Sequence, residues 1–302
     1  MQPITVILNA GSGAETRRDG PARTKRRIEA LFADAGRAVD VRLAGRGAPP
    51  DRLAAAAVQR GAEAVVAAGG DGTVSAVAGA VADTGIPMGV LPLGTLNHFA
   101  KDLGLPLDLD DAVRVVLAGR TRPVDAGEVN GRLFVNNSSI GVYPAIVRRR
   151  ERYRSEQRMS KWLALLWATL AVLRRHPFLA VRVVTDAEAV VRRTPFVFVG
   201  NGRYVLEGFG AGGREQIDDG RISVYLMNAS RRRSLLWLGV QVLLGCPAAH
   251  RELDCFSVRE AVIETRRRWG HVSADGEIVA LPGPLVYRVR PGALKVFVGA
   301  RD

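Results

Sequence analysis

The sequence predicts two domains, an α/β domain on a parallel sheet followed by a β-sandwich. Three observations carry this. Strand-length apolar runs alternate with helical apolar spacing through the first 118 residues, and the glycine-rich turn Gly69-Gly70-Asp71-Gly72-Thr73 joins one such strand to one such helix. From Pro123 onward, helical spacing gives way to many short strands separated by turn residues.

Ile4 to Leu8 reads as the first strand, ending in the small-residue turn Asn9-Ala10-Gly11-Ser12-Gly13. Arg23 to Ala35 is a basic amphipathic helix closed at Gly36, Val39 to Ala44 is the second strand, and Pro50 to Arg60 the second helix. Ala64 to Ala68 is the third strand, and Val74 onward is again helical. The turn between them holds no large side chain. Three glycines allow positive φ and close approach to a ligand, Thr73 is placed to cap the helix, and free amides at a helix start attract phosphate. Asp71 would repel phosphate unless a divalent cation stands between them, which points to a metal nucleotide; an ordinary tight turn capped by Asp71 would read the same. Gly89 to Lys101 repeats the strand-turn-helix pattern with Gly94-Thr95 at the turn, and adjacent turns of a parallel sheet share one crevice. Asp110 to Ala118, closed by Gly119, completes a βαβαβα order with right-handed crossovers.

The second domain opens with an Asn130-Gly131 hairpin. Strands are expected at Phe178 to Thr185, Val190 to Asn201, Ile222 to Met227, Phe256 to Glu264, Val272 to Ser273, Glu277 to Leu281, Leu285 to Arg290 and Leu294 to Val298. So many short strands imply a sandwich. Two apolar helical patches interrupt them: Lys161 to Leu173, flanked by eight arginines from Arg148 to Arg175, and Leu235 to Leu244, preceded by Arg231, Arg232 and Arg233. Tryptophan and leucine beside arginine suit a helix lying in a lipid interface; buried helices with solvated basic ends would read alike.

Composition narrows the partners. The 302 residues carry a formal charge of +13, which favours an anionic partner such as a membrane surface. The basic runs lack the clustered aromatics of a nucleic-acid module, so no nucleic-acid partner is expected. Two cysteines, Cys246 and Cys255, exclude a disulfide framework and suit the cytoplasm, and with His250 they lack the paired spacing of a zinc site. The N-terminus has no basic leader, and the longest apolar run, Trp162 to Leu173, falls short of the roughly 20 residues a membrane span needs.

Gly-Gly-Asp-Gly-Thr at Gly69 to Thr73, with Leu-Pro-Leu-Gly-Thr-Leu-Asn at Leu91 to Asn97 followed by Phe99-Ala100, resembles the diacylglycerol kinase catalytic family, which is distantly similar to NAD kinases. The resemblance implies a nucleotide-binding domain at residues 1–124, joined by a returning strand at 286–302, and a lipid-binding β-sandwich at 125–285. It implies an ATP-dependent lipid kinase using Mg²⁺, acting on a lipid alcohol such as diacylglycerol while held peripherally on the inner membrane face; a homodimer stays open. The nucleotide would be held by Asn9, Gly69, Gly70, Asp71, Gly72, Thr73, Val74, Ser75, Ala76, Gly94, Thr95 and Asn97, with Asp71 organising the catalytic metal. By matching the family's Asp-Gly-Glu motif, Glu277 after Asp275-Gly276 would take the hydroxyl proton. Asp219 with the carbonyls of Gln216 and Arg221 would hold a structural cation, and Arg203 would meet phosphate from a glycine-rich loop. Two departures stand out: His98 follows Asn97 where the family carries aspartate, and Ser75-Ala76 replaces Asn-Glu. The rivals are an NAD kinase-like phosphotransferase and a silent nucleotide-binding membrane regulator.

Overall fold

The computed structural model describes residues 3–9, 11, 20–141, 178–186, 188–204, 214, 216–227, 253–266 and 268–299. Both basic, tryptophan-bearing patches, the glycines between 205 and 213, Cys246 and His250 lie outside these residues. Contacts divide the chain into two compact units, Met1–Ala126 with Arg290–Asp302, and Gly127–Val289.

In the first unit β1 (Ile4–Asn9), α1 (Pro21–Asp34), β2 (Val39–Ala44), α2 (Pro50–Gln59), β3 (Val65–Gly69), α3 (Asp71–Val81), β4 (Met88–Pro92), α4 (His98–Asp102) and α5 (Leu109–Leu117) follow one another. The strands order as β2-β1-β3-β4, with the C-terminal half of the last strand, β16 (Leu285–Phe297), added parallel to β4. Every one of these pairings is parallel, with registers such as Ile4↔Val39, Thr5↔Val65 and Val65↔Met88. The central strands β3 and β4 are therefore buried on both faces, which is why they are apolar throughout rather than alternating. On one face Ile28 and Phe32 of α1 and Leu109, Val113 and Val116 of α5 pack on Ile4, Val6, Leu8, Val66 and Leu91. Asp108 caps α5 by accepting from the Asp110 and Asp111 amides at 2.9 and 3.1 Å, a cap that contributes about 1 kcal/mol. Since β1 lies between β2 and β3, the chain changes winding direction there, and the carboxyl ends of β1 and β3 flank the switch point where open α/β sheets bind ligands.

The second unit is a sandwich of two antiparallel sheets. One orders as β12 (Leu253–Val258), β11 (Ile222–Met227), β10 (Phe196–Asn201), β7 (Asn137–Gly141), β14 (Trp269–Ala274) and β15 (Glu277–Pro282). The other joins the first half of β16 to β13 (Glu260–Thr265), β8 (Leu179–Thr185) and β9 (Ala189–Thr194). Val197, Val199, Ile222, Val224, Leu226 and Val272 of the first meet Val181, Val183, Ala261, Ile263, Leu285 and Tyr287 of the second to form one apolar core. The hairpin from β5 (Thr121–Val129) to β6 (Arg132–Phe134) turns at Asn130 (φ 45°) and Gly131 (φ 83°), the left-handed pair that a two-residue turn demands.

Three strand expectations are corrected. Residues 190–201 form two strands rather than one, parted at Pro195, which has no amide to give a ladder. Residues 256–264 also split, at Arg259, and the two pieces enter different sheets. Conversely, 285–290 and 294–298 are one continuous strand, because Gly292 at φ 59° carries the chain through Pro291 without leaving the sheet.

Candidate functional site

The first-unit turns meet at the switch point. Asn9, the last residue of β1, donates from Nδ2 to the Thr73 hydroxyl at 3.0 Å and accepts from the Gly11 amide at 3.0 Å. One carboxamide thus fixes the β1 turn against the start of α3. Thr73 is buried inside that helix rather than capping it; Gly70 is the N-cap and no side chain caps it, so the expected capping role is corrected. The Thr73 and Val74 amides both bond to the Gly70 carbonyl, at 2.9 and 3.1 Å, leaving Asp71 and Gly72 as first-turn donors with no acceptor in the turn. A side chain at Gly72 would meet nothing within 4 Å. Asp71 accepts from the Phe99 amide at 3.4 Å, tying the first turn to the start of α4, and has no cationic partner among the described residues.

The glycines here do not serve positive φ, as the sequence suggested. Gly70 is extended, and none of Gly69, Gly70, Gly72 and Gly94 is left-handed. Close approach is the reason. A Cβ on Gly94 would stand 2.4 Å from Gly70 Cα and 2.6 Å from Asn97 Oδ1, so the two turns touch main chain to main chain. The residue that does take φ 51° is Asn97, buried, whose carboxamide accepts from the Gly94 amide at 3.0 Å and donates to the Pro92 and Gly94 carbonyls at 3.1 and 3.0 Å. Asn97 is the internal brace of its turn, while Thr95 and Leu96 stand exposed at the tip. Open amides, an exposed hydroxyl and a carboxylate with no cationic partner among the described residues are the donor set a magnesium nucleotide requires, so the residues present fit such a group.

In the second unit Asp275 and Gly276, at φ 46° and 86°, turn β14 into β15. The Asp275 carboxylate accepts from three successive amides, Val135 (2.8 Å), Asn136 (2.8 Å) and Asn137 (3.0 Å). The carbonyls of the same segment are taken from the other side. Arg214, buried, donates to Val135 O at 2.6 Å, Asn201 Nδ2 donates to Val135 O at 3.1 Å, and the Tyr204 hydroxyl to Asn136 O at 3.1 Å. Glu277 follows this clamp as the first residue of β15, exposed and ion-paired with Arg132 on β6. Gln216, Asp219 and Arg221 gather at Gly202, whose amide donates to Arg221 O at 3.2 Å and whose Cβ would stand 2.3 Å from Gln216 O. Asp219 Oδ1 accepts from the Arg221 amide at 3.1 Å. One carboxylate and two carbonyls suit a hard cation, though no cluster of three His, Cys, Asp or Glu occurs among the described residues. Arg203 lies beside them, lining a pocket of about 380 Å³ with Gln216, Asp219, Cys255 and Ser257.

Comparison with known proteins finds two family models along the chain. The diacylglycerol kinase catalytic domain matches residues 3–129, and the YegS C-terminal NAD kinase β-sandwich-like domain matches residues 139–298. A diacylglycerol kinase of Mycobacterium tuberculosis is 34% identical over 253 residues, covering 81% of this chain and 79% of that protein. The chain belongs to the diacylglycerol kinase family. A diacylglycerol kinase of Bacillus subtilis is likewise 34% identical over 139 residues, covering 45% of each chain. A crystal structure of a diacylglycerol kinase from Bacillus anthracis superposes with a TM-score of 0.72 over 99% of this chain and 97% of that one; at 18% identity it speaks for the fold.

Membership in the diacylglycerol kinase family makes the chain a phosphotransferase. Relative to the family pattern, His98 opens α4 and Ser75 and Ala76 are half-buried in α3, so neither position supplies a carboxylate beside Asp71. No described helix is long and apolar enough to cross a membrane. Sequence reasoning missed Arg132 as the partner of Glu277, and the Arg214, Asn201 and Tyr204 brace, since these contacts join residues far apart in the chain. Asn97 in place of glycine at a left-handed turn position was the one readable signal.

Proposed function

We propose that the chain transfers the γ-phosphoryl group of ATP to the hydroxyl of a membrane lipid such as diacylglycerol. The observation that carries this is the bare main-chain contact of Gly70 with Gly94 beside the switch point of a parallel sheet, in a chain of this family. ATP is assigned to the first unit, its phosphates to the Asp71 and Gly72 amides and the Thr95 loop, and Mg²⁺ to Asp71. Bound Mg²⁺ would neutralise phosphate charge. Glu277 is assigned the lipid hydroxyl proton, with Arg132 and the Asp275 clamp holding the carboxylate in place. The lipid is assigned to the sandwich, and a structural cation to Asp219 and the carbonyls of Gln216 and Arg221. Peripheral attachment to an anionic membrane fits the charge of +13.

The test is phosphorylation of a total lipid extract with labelled ATP and mass-spectrometric identification of the product. Labelled lipid is expected, abolished by Glu277→Gln with ATP binding retained. Phosphate appearing on soluble NAD and on no lipid would replace this reading with an NAD kinase-like one.

A further inference from the structure

One end of the sandwich carries a surface that nucleotide chemistry does not use. The β13–β14 turn reads Arg266-Arg267-Arg268-Trp269. Arg266 and Arg268 are exposed, and Trp269 is 61% exposed. Across the strand pair Trp269 faces Pro282, and the exposed Pro282-Gly283-Pro284 turn is tied back to the arginine turn by the Gly283 amide donating to Arg268 O at 2.8 Å. Asn130 Nδ2, from the β5–β6 turn, donates to Pro282 O and Pro284 O at 2.8 and 3.1 Å. Three turns are thereby held as one end with little freedom to fold the tryptophan away.

The charge there is uncompensated. Elsewhere on the sandwich Arg182 is matched by Glu264, Arg192 by Asp254 and Arg288 by Glu260. Arg266 and Arg268 make no ion pair among the described residues, and the sequence holds no Asp or Glu from Thr265 to Ala274 or from Ile278 to Arg301. A single exposed apolar side chain is ordinary on any surface. A tryptophan set on a braced turn among unpaired guanidinium groups and prolines is instead matched to a bilayer interface, where the ring sits among headgroups and the cations meet lipid phosphates.

We propose that this end docks on an anionic lipid surface. The proposal deepens the lipid-kinase reading, for which a membrane-borne substrate is required, and its test is separable from it. Full-length protein is floated with vesicles of phosphatidylcholine alone or mixed with phosphatidylglycerol, and the wild type is compared with Trp269→Ala and with Arg266→Ser/Arg268→Ser, whose folding is checked by thermal melting. Binding should require phosphatidylglycerol and weaken with salt. At about fivefold per arginine the double variant should lose roughly 25-fold in partitioning, and Trp269→Ala should lose several-fold at every salt concentration. Both variants should phosphorylate lipid in detergent micelles at the wild-type rate. Unchanged vesicle binding by both variants overturns the proposal, as does loss of binding to RNA or an acidic protein with vesicle binding intact. Failure of the wild type to phosphorylate any lipid in micelles overturns the lipid-kinase reading and leaves the flotation result standing by itself.

Discussion

Replacing Gly94 by alanine tests the contact on which the nucleotide site is built. The added carbon would lie 2.4 Å from Gly70 Cα and 2.6 Å from Asn97 Oδ1, where about 3.4 Å is the closest ordinary approach. The turns must therefore separate by about 1 Å. Neither obstacle can yield cheaply: Gly70 presents main chain, and Asn97 is held by three hydrogen bonds of its own turn. Overpacking of this kind costs about 2 to 3 kcal/mol, or roughly 5–10 °C in the melting temperature of the unit that contains it. An error of about 1 Å in positioning reacting groups can also cost on the order of 100-fold in kcat/KM. Gly72→Ala is the control, since its new methyl would meet nothing within 4 Å and its φ is not left-handed. It should melt within about 1 kcal/mol of the wild type, the ordinary range for a permitted glycine to alanine change. Thermal unfolding and ATP-dependent phosphorylation of both variants decide the matter. A Gly94→Ala protein with wild-type melting and turnover would show that the two turns are not packed as described.

Other outcomes follow from the second unit. Asp275→Asn should cost about 2 kcal/mol: an amide nitrogen would face the Val135 amide that Oδ2 now accepts, at 2.8 Å. Melting temperature and kcat should fall together, whereas a loss confined to KM would refute the assigned positioning role. Tyr287 is fully buried with its hydroxyl 3.1 Å from Ser138, and burial pushes its pKa well above the ordinary value of 10.0. The folded protein keeps that proton while the unfolded chain releases it, so stability is unaffected below pH ~10 and falls as pH rises past it. Tyr287→Phe should cost about 1 kcal/mol at neutral pH and flatten the alkaline decline; an identical decline in denaturant midpoint against pH would refute this.

The turn-forming chemistry was legible in the sequence, because Asn130-Gly131 and Asp275-Gly276 name their own backbone angles and Gly69 to Thr73 excludes large side chains. The purpose of the nucleotide-turn glycines was not, since a glycine needed for φ and one needed for close approach have the same letter. Strand ends show why periodicity alone falls short. Core-facing residues run Phe256, Val258 and then Ala261, Ile263, a slip of one in the alternation, and the chain changes sheets there. A similar slip from Leu285, Tyr287, Val289 to Leu294, Val296 is absorbed as a bend within one strand at Gly292. Which of the two occurs depends on what lies across the sheet, which local sequence does not carry. The pairing of Glu277 with Arg132 is hidden for the same reason.

The placement of β16 has a consequence for how the protein is made. Val296 lies against Met88, so the parallel sheet of the first unit gains this strand only after the whole second unit has been made. Until then β4 shows an unpaired border, the kind of border that recruits foreign strands. A gene fragment stopped at Ala126 would make that exposure permanent, and the fragment should aggregate more readily than the chain that carries β16.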